Sequence, residues 1–156
     1  MFQTLMPPAP LPTTFDGPAV FLAGSIAMGQ AEPWQSQVAQ ALAELPICLL
    51  NPRRVAWDSS WPQRADHPLF RGQVEWELAA QERADLIAMY IDPRTQAPIT
   101  LLELGLFARS GRLVVCCPAG FWRKGNVDIV CQRYGVPQVD DLPSLIAAIA
   151  RWAAGR

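Results

Sequence analysis

Four short apolar runs set the terms on which this chain can fold. Residues 19–23, 47–50, 86–91 and 113–117 are each continuously apolar rather than alternating. That is the pattern of strands buried on both faces, as in a parallel sheet. Stretches of helical period separate them. Pro33 opens one, with Trp34, Val38, Ala41, Leu42 and Leu45 at helical spacing. A second is predicted over 69–83, with Phe70, Val74, Leu78 and Ala79 as its apolar side and Glu75, Glu77, Gln81 and Glu82 as its polar one. A third carries Ile99, Leu102 and Leu106, with Phe107 beside them, as an apolar stripe and stops before Gly111. A loop over 120–126, a short helix over 127–134, a weak strand over 136–139 and a last helix opened by Asp141 complete the pattern. Strand and helix alternate five times. The expectation is therefore a flavodoxin-like three-layer α/β/α fold with a five-stranded parallel sheet in the order 2-1-3-4-5.

The prolines before the first strand predict an extended arm over residues 1–18, leaving 19–156 as one domain. The apolar share is high: 51% hydrophobic against 17% charged residues, with six tryptophans, which predicts that some surface is covered by another subunit. A net charge of −1 gives no long-range attraction for a nucleic acid polymer or a membrane surface. No apolar run approaches the roughly 18 residues of a membrane span. The N-terminus has no basic stretch ahead of an apolar one, so no signal peptide is expected. Cys48, Cys116, Cys117 and Cys131 form no CxxC pair, and His67 is the only histidine, so no metal site is expected. Thiols inside apolar runs predict a reduced, cytoplasmic protein.

The residue that fits least well is Glu103, set among Leu101, Leu102, Leu104 and Leu106 with no basic residue before Arg109. It is expected in the first turn of its helix, at the carboxyl edge of the sheet where open α/β folds bind ligands. It is then either a carboxylate stabilised by the helix dipole or one kept for reaction. Glu77, on the helix entering the third strand, can reach the same crevice, or it belongs to a solvated helix face. Two carboxyl groups facing a sugar are what glycosidic chemistry needs, one at the anomeric carbon and one at the leaving group. Gly24 and Ser25 end the first strand, either as a turn whose backbone N–H groups meet a sugar or phosphate or as a plain strand-to-helix turn. Asp85 reads as structural, and Asp92 stands where a ligand could bond it. Arg53, Arg54, Arg123 and Lys124 are either a phosphate clamp or surface charges. There is no GxGxxG and no phosphate-loop lysine, so neither dinucleotide nor flavin cofactor nor NTPase is supported.

Gly24-Ser25-Ile26, Ala84-Asp85-Leu86-Ile87 and Leu102-Glu103-Leu104-Gly105, in this order and spacing, resemble the nucleoside 2-deoxyribosyltransferase superfamily and its relatives, the 2′-deoxynucleoside 5′-phosphate N-hydrolases. Asn51-Pro52-Arg53-Arg54, Gln73-Val74-Glu75-Trp76-Glu77 and Phe121-Trp122-Arg123-Lys124-Gly125-Asn126 look like its "nucleoside 2-deoxyribosyltransferase-like" branch. The resemblance implies Glu103 as nucleophile and Glu77, eight residues before Asp85, as catalytic acid. It also implies Asn126 as a residue lent to a neighbouring subunit's sugar site, and a nucleoside or nucleotide as substrate with no cofactor. The chain departs from the pattern at Ala97, where the superfamily has an aspartate or serine for the 5′ end of the sugar. That departure keeps a second expectation open, a nucleotide sensor or binding module that has the crevice without turnover.

Overall fold

The computed structural model describes residues 1–25, 33–54 and 60–156. Its centre is a fully parallel sheet of six strands: β1 (Gln3–Leu5), β2 (Ala19–Gly24), β3 (Cys48–Leu50), β4 (Leu86–Tyr90), β5 (Leu113–Cys116) and β6 (Gln138–Val139). The order is β1-β3-β2-β4-β5-β6. The last five strands of that order are the predicted 2-1-3-4-5 arrangement, and β1 adds an edge strand that the sequence did not announce. Gln3-Thr4-Leu5 pairs with Cys48-Leu49-Leu50 in register, so the expected five strands are corrected to six. Three residues ahead of a proline cluster carry no continuous apolar run, and an edge strand needs none on its open side.

The pleat sorts the core into two layers. Ala19, Phe21, Ala23, Ile87, Met89 and Val115 point to one face, against Ala80, Leu104, Phe107, Val127 and Cys131. Val20, Leu22, Ala88, Tyr90, Val114 and Cys116 point to the other, against Trp34, Val38, Leu42, Leu145 and Ile149. Helices α2 (Pro68–Arg83), α3 (Pro98–Phe107) and α4 (Lys124–Tyr134) therefore cover the first face, and α1 (Trp34–Ala41) and α5 (Leu142–Ala154) the second. This is the three-layer fold expected of short parallel strands joined through helices.

Local chemistry fixes the helix ends. His67 caps α2, its Nδ1 accepting from the Phe70 N–H at 3.3 Å, with Pro68 in the first turn. Asp141 caps α5 by accepting from the Ser144 N–H at 2.7 Å. Helix α4 begins at Lys124, so Lys124, Gly125 and Asn126, predicted as loop, are helical. The proline-rich segment lies along α2: Trp76 donates its indole N–H to the Ala9 carbonyl at 2.8 Å, and the Arg83 guanidinium lies 4.5 Å from the Phe15 ring centre.

Two helices present faces other than those predicted. In α2 the buried residues are Gln73, Ala80 and Gln81, while Leu78 is exposed. In α3 the predicted apolar stripe faces outward, with Ile99, Leu102 and Leu106 at 59%, 60% and 56% exposure, and Thr100, Glu103, Leu104 and Phe107 are buried. Glu103 lies in the second turn of α3, not the first, because the helix already begins at Pro98. A periodic pattern gives the angular spacing of apolar residues. It does not say whether the stripe meets the sheet or another surface.

Candidate active site

The carboxyl ends of the three central strands place a buried polar residue immediately after each strand or one residue beyond it. Ser25 follows β2, Asn51 follows β3, and Asp92 follows Ile91 at the end of β4; all three are buried. Gly24 can sit here only without a side chain. Its φ is +150°, and a Cβ would lie 2.1 Å from the Tyr90 carbonyl oxygen and 2.8 Å from the Trp34 ring. The glycine thus lets β2 and β4 stay paired beneath Trp34, whose indole N–H donates to the Ser25 carbonyl at 3.2 Å.

Ser25 and Asp92 are bonded to the protein itself. The Ser25 N–H donates to the Tyr90 carbonyl at 3.1 Å, and Ser25 Oγ accepts from the Asp92 N–H at 3.0 Å. Thr95 Oγ1 lies 2.9 Å from Ser25 Oγ and donates to the Asp92 carbonyl at 2.8 Å. The Asp92 carboxylate is paired with the Arg94 guanidinium through both oxygens, at 3.0 and 2.7 Å. Asn51 Oδ1 accepts the Arg53 N–H at 3.0 Å, forming the turn out of β3. The Arg53 guanidinium reaches Gln35 Oε1 at 3.4 Å, and Arg54 lies 4.9 Å from the Trp61 ring centre. Ile26 lies outside the described residues. Asp85 is structural, as read: its Oδ2 accepts the Ala19 N–H at 2.8 Å and holds the start of β2 beside β4.

Glu77 and Glu103 are brought together between α2 and α3. Burial pushes Glu77 up to about 7, and the hydrogen bond from Gln73 works against the rise. Burial pushes Glu103 up to about 8; the Glu77 charge adds to the rise and the hydrogen bond from Gln81 opposes it. Gln73 Nε2 donates to Glu77 Oε1 at 2.9 Å and also to the Pro52 carbonyl at 2.9 Å. Gln81 Nε2 donates to Glu103 Oε2. Among the described residues no salt bridge reaches either glutamate. The arrangement is a buried carboxyl group, Glu103, raised further by the charge of the half-buried Glu77, with both served by amides alone.

Gln73 and Gln81 did not stand out in the sequence, although their spacing was readable. Positions 73, 77 and 81 recur every fourth residue and so share one face of a helix. Two of the buried residues of α2 are glutamines, and each donates to one of the glutamates. Arg123 and Asn126 lie elsewhere, on an exposed groove between α3 and α4 that Leu101, Leu104, Trp122 and Val130 also line. Trp122 is anchored there by its indole N–H on the Gln96 carbonyl at 3.1 Å, with the Arg123 guanidinium 4.3 Å from its ring centre. The groove does not include Glu103. Among the described residues no three histidine, cysteine or acidic side chains converge as metal ligands would, and no helix is long and apolar enough to cross a membrane.

A crystal structure of a conserved protein from Enterococcus faecalis V583 superposes with a TM-score of 0.58 at 14% identity, covering 86% of this chain and 98% of that one. At that identity the likeness concerns the fold. No curated protein matches the sequence. The family described as "nucleoside 2-deoxyribosyltransferase like" matches residues 17–121, a span that runs from the residues before β2 to Phe121 and includes both glutamates. With a match over that much of its length, the chain belongs to the nucleoside 2-deoxyribosyltransferase-like family.

Proposed function

We propose that the protein cleaves or transfers the N-glycosidic bond of a (deoxy)nucleoside or nucleotide, with Glu103 as nucleophile and Glu77 as acid and base. The observation that carries this reading is the pair itself. A buried and a half-buried carboxyl group without a cation are costly to the fold, and their raised affinity for protons suits proton transfer near neutral pH. The reactive form has its one proton on Glu77 and the charge on Glu103, the less populated arrangement of the singly protonated pair, because Glu103 holds a proton up to about 8 and Glu77 up to about 7. The Glu103 carboxylate forms a bond to the anomeric carbon as the bond to the base nitrogen breaks. The electron pair leaves with the base, which takes the proton from Glu77. Water or a second base then attacks the same carbon, Glu77 accepts the proton of the incoming group, and Glu103 is released.

Arg53 and Arg54, on the turn out of β3, are the proposed partners of a 5′ phosphate where the substrate has one. Gly24, Ser25, Ile26, Asn51 and Asp92 are the proposed floor of the sugar site. We further propose that the protein works in the cytoplasm as a homodimer or higher symmetric oligomer, with residues 19–156 as the catalytic unit. The outward stripe Ile99, Leu102 and Leu106, the exposed Trp122 and the free, buried cysteines support these readings. In such an assembly Asn126 and Arg123 serve a neighbour's site.

The test is incubation with a panel of deoxynucleosides, deoxynucleoside 5′-monophosphates and NAD, reading free base by chromatography, with and without an acceptor base. Release from at least one deoxy substrate supports the proposal, and loss of that release in Glu103→Ala assigns it to this site. Tight binding without any release would instead make the protein a ligand sensor.

A further inference from the structure

We propose that Gln81 is a positioning residue for Glu103: from α2 it holds one carboxylate oxygen of the residue on α3 and leaves the other to meet the substrate. The inference rests on the proposed role of Glu103. Gln81 is 1% exposed, in the last turns of a helix whose buried face elsewhere meets the sheet. A residue placed there only to pack would be apolar. Its Nε2 donates to Glu103 Oε2, while its own Oε1, equally buried, has no partner. The amide therefore leaves one of its own polar atoms unsatisfied in order to serve the carboxylate. Turned over, it would set its oxygen against an ionised carboxylate, so this orientation selects the charged form of Glu103.

Its backbone is held as well. The Gln81 carbonyl accepts from the Arg112 guanidinium at 3.3 Å, and Arg112 also bonds the Ala84 carbonyl, which fixes the end of α2 beside the start of β5. Gln73 repeats the arrangement one turn on the other side of Glu77. It donates to Glu77 and also leaves a buried Oε1 without a partner, but it divides its Nε2 between Glu77 and the Pro52 carbonyl. The amide of Gln81 has a single acceptor, Glu103. Among the described residues Glu77 is the one titratable group whose charge bears on Glu103. Gln81 is thus the neutral donor that counters that repulsion. It favours an ionised, fixed nucleophile in a setting that otherwise favours a neutral, mobile one.

The test uses Gln81→Met, which keeps length and removes the donor, with Gln81→Glu as a second variant of nearly the same shape. Each is first checked for an unchanged circular dichroism spectrum. Glu103 is followed by carboxyl ¹³C NMR titration, assigned through Glu103→Gln. In Gln81→Met its midpoint should rise by about one to two pH units, since a hydrogen bond to the charged form is lost. Gln81→Glu should raise it at least as far, by adding a like charge. In turnover, kcat should fall by about tenfold to a hundredfold with KM little changed, and the acidic limb of the pH profile should move upward with the NMR midpoint. A folded variant with an unchanged Glu103 midpoint overturns the proposal. So does a moved midpoint with unchanged kcat. If no substrate releases base, the proposed reaction falls, and the NMR midpoint still decides whether Gln81 acts on Glu103.

Discussion

The charge on Glu77 raises the proton affinity of Glu103 across the contact between α2 and α3. Two carboxyl groups coupled in this way lose their protons in two steps that belong to the pair rather than to either residue. With values of about 7 and about 8, the pair holds close to one proton midway between them, at about pH 7.5, the composition the proposed reaction requires.

The pH dependence of turnover follows. Below the first step both groups are protonated and no nucleophile exists; above the second both are ionised and no acid remains. With midpoints of about 7 and about 8, kcat/KM should trace a narrow bell with its maximum between those values. Measuring kcat/KM from pH 5 to 10 checks this, and a flat profile through that window contradicts it.

Stability should move in the opposite sense to the usual carboxylate. Both glutamates have folded-state values above the ordinary 4.5, so the folded chain binds more protons than the unfolded one between that value and about 8. Their favourable contribution is complete below 4.5 and is lost as pH rises to about 8. Glu103→Gln removes a buried charge. It should therefore stabilise the protein by about 1–3 kcal/mol at pH 8.5 and by much less at pH 4.5. Thermal denaturation of both proteins at the two pH values measures the difference.

Much of the fold was legible because a strand buried on both faces is a run of apolar residues, and residues 19–23, 86–91 and 113–117 are such runs. Asp85 was legible for a related reason: an acidic residue at a strand's start has backbone N–H groups within reach, and it bonds that of Ala19. The edge strand β1 was not, since three residues carry no period. The buried faces of α2 and α3 are not legible, because an apolar stripe does not have to face the interior. Instead α2 turns Gln73, Ala80 and Gln81 inward, and α3 turns Ile99, Leu102 and Leu106 outward. Glu103 stands out in the sequence by its apolar neighbours. Gln81 does not stand out, because a glutamine on a polar-looking helix face has no such contrast.

Gly24 should tolerate no side chain. In Gly24→Ala the new Cβ meets the Tyr90 carbonyl at 2.1 Å and the backbone keeps a φ of +150°, so β2 and β4 must separate. A loss of at least about 3 kcal/mol is expected, read from denaturant unfolding.

Asp85→Ala should separate structure from chemistry. It removes the acceptor of the Ala19 N–H and should lower Tm by about 2–5 °C, with kcat unchanged below the transition. A large fall in kcat at an unaltered Tm would move Asp85 into the catalytic machinery.

The central claim is that Glu103 reacts, and base release by Glu103→Gln tests it most directly. The variant should fold, as its circular dichroism and raised Tm would report. It should release base from the best substrate at least about a thousandfold more slowly than the unaltered chain, because an amide cannot attack the anomeric carbon. Release within a few-fold of the unaltered rate would contradict the account and leave Glu103 as a buried structural acid.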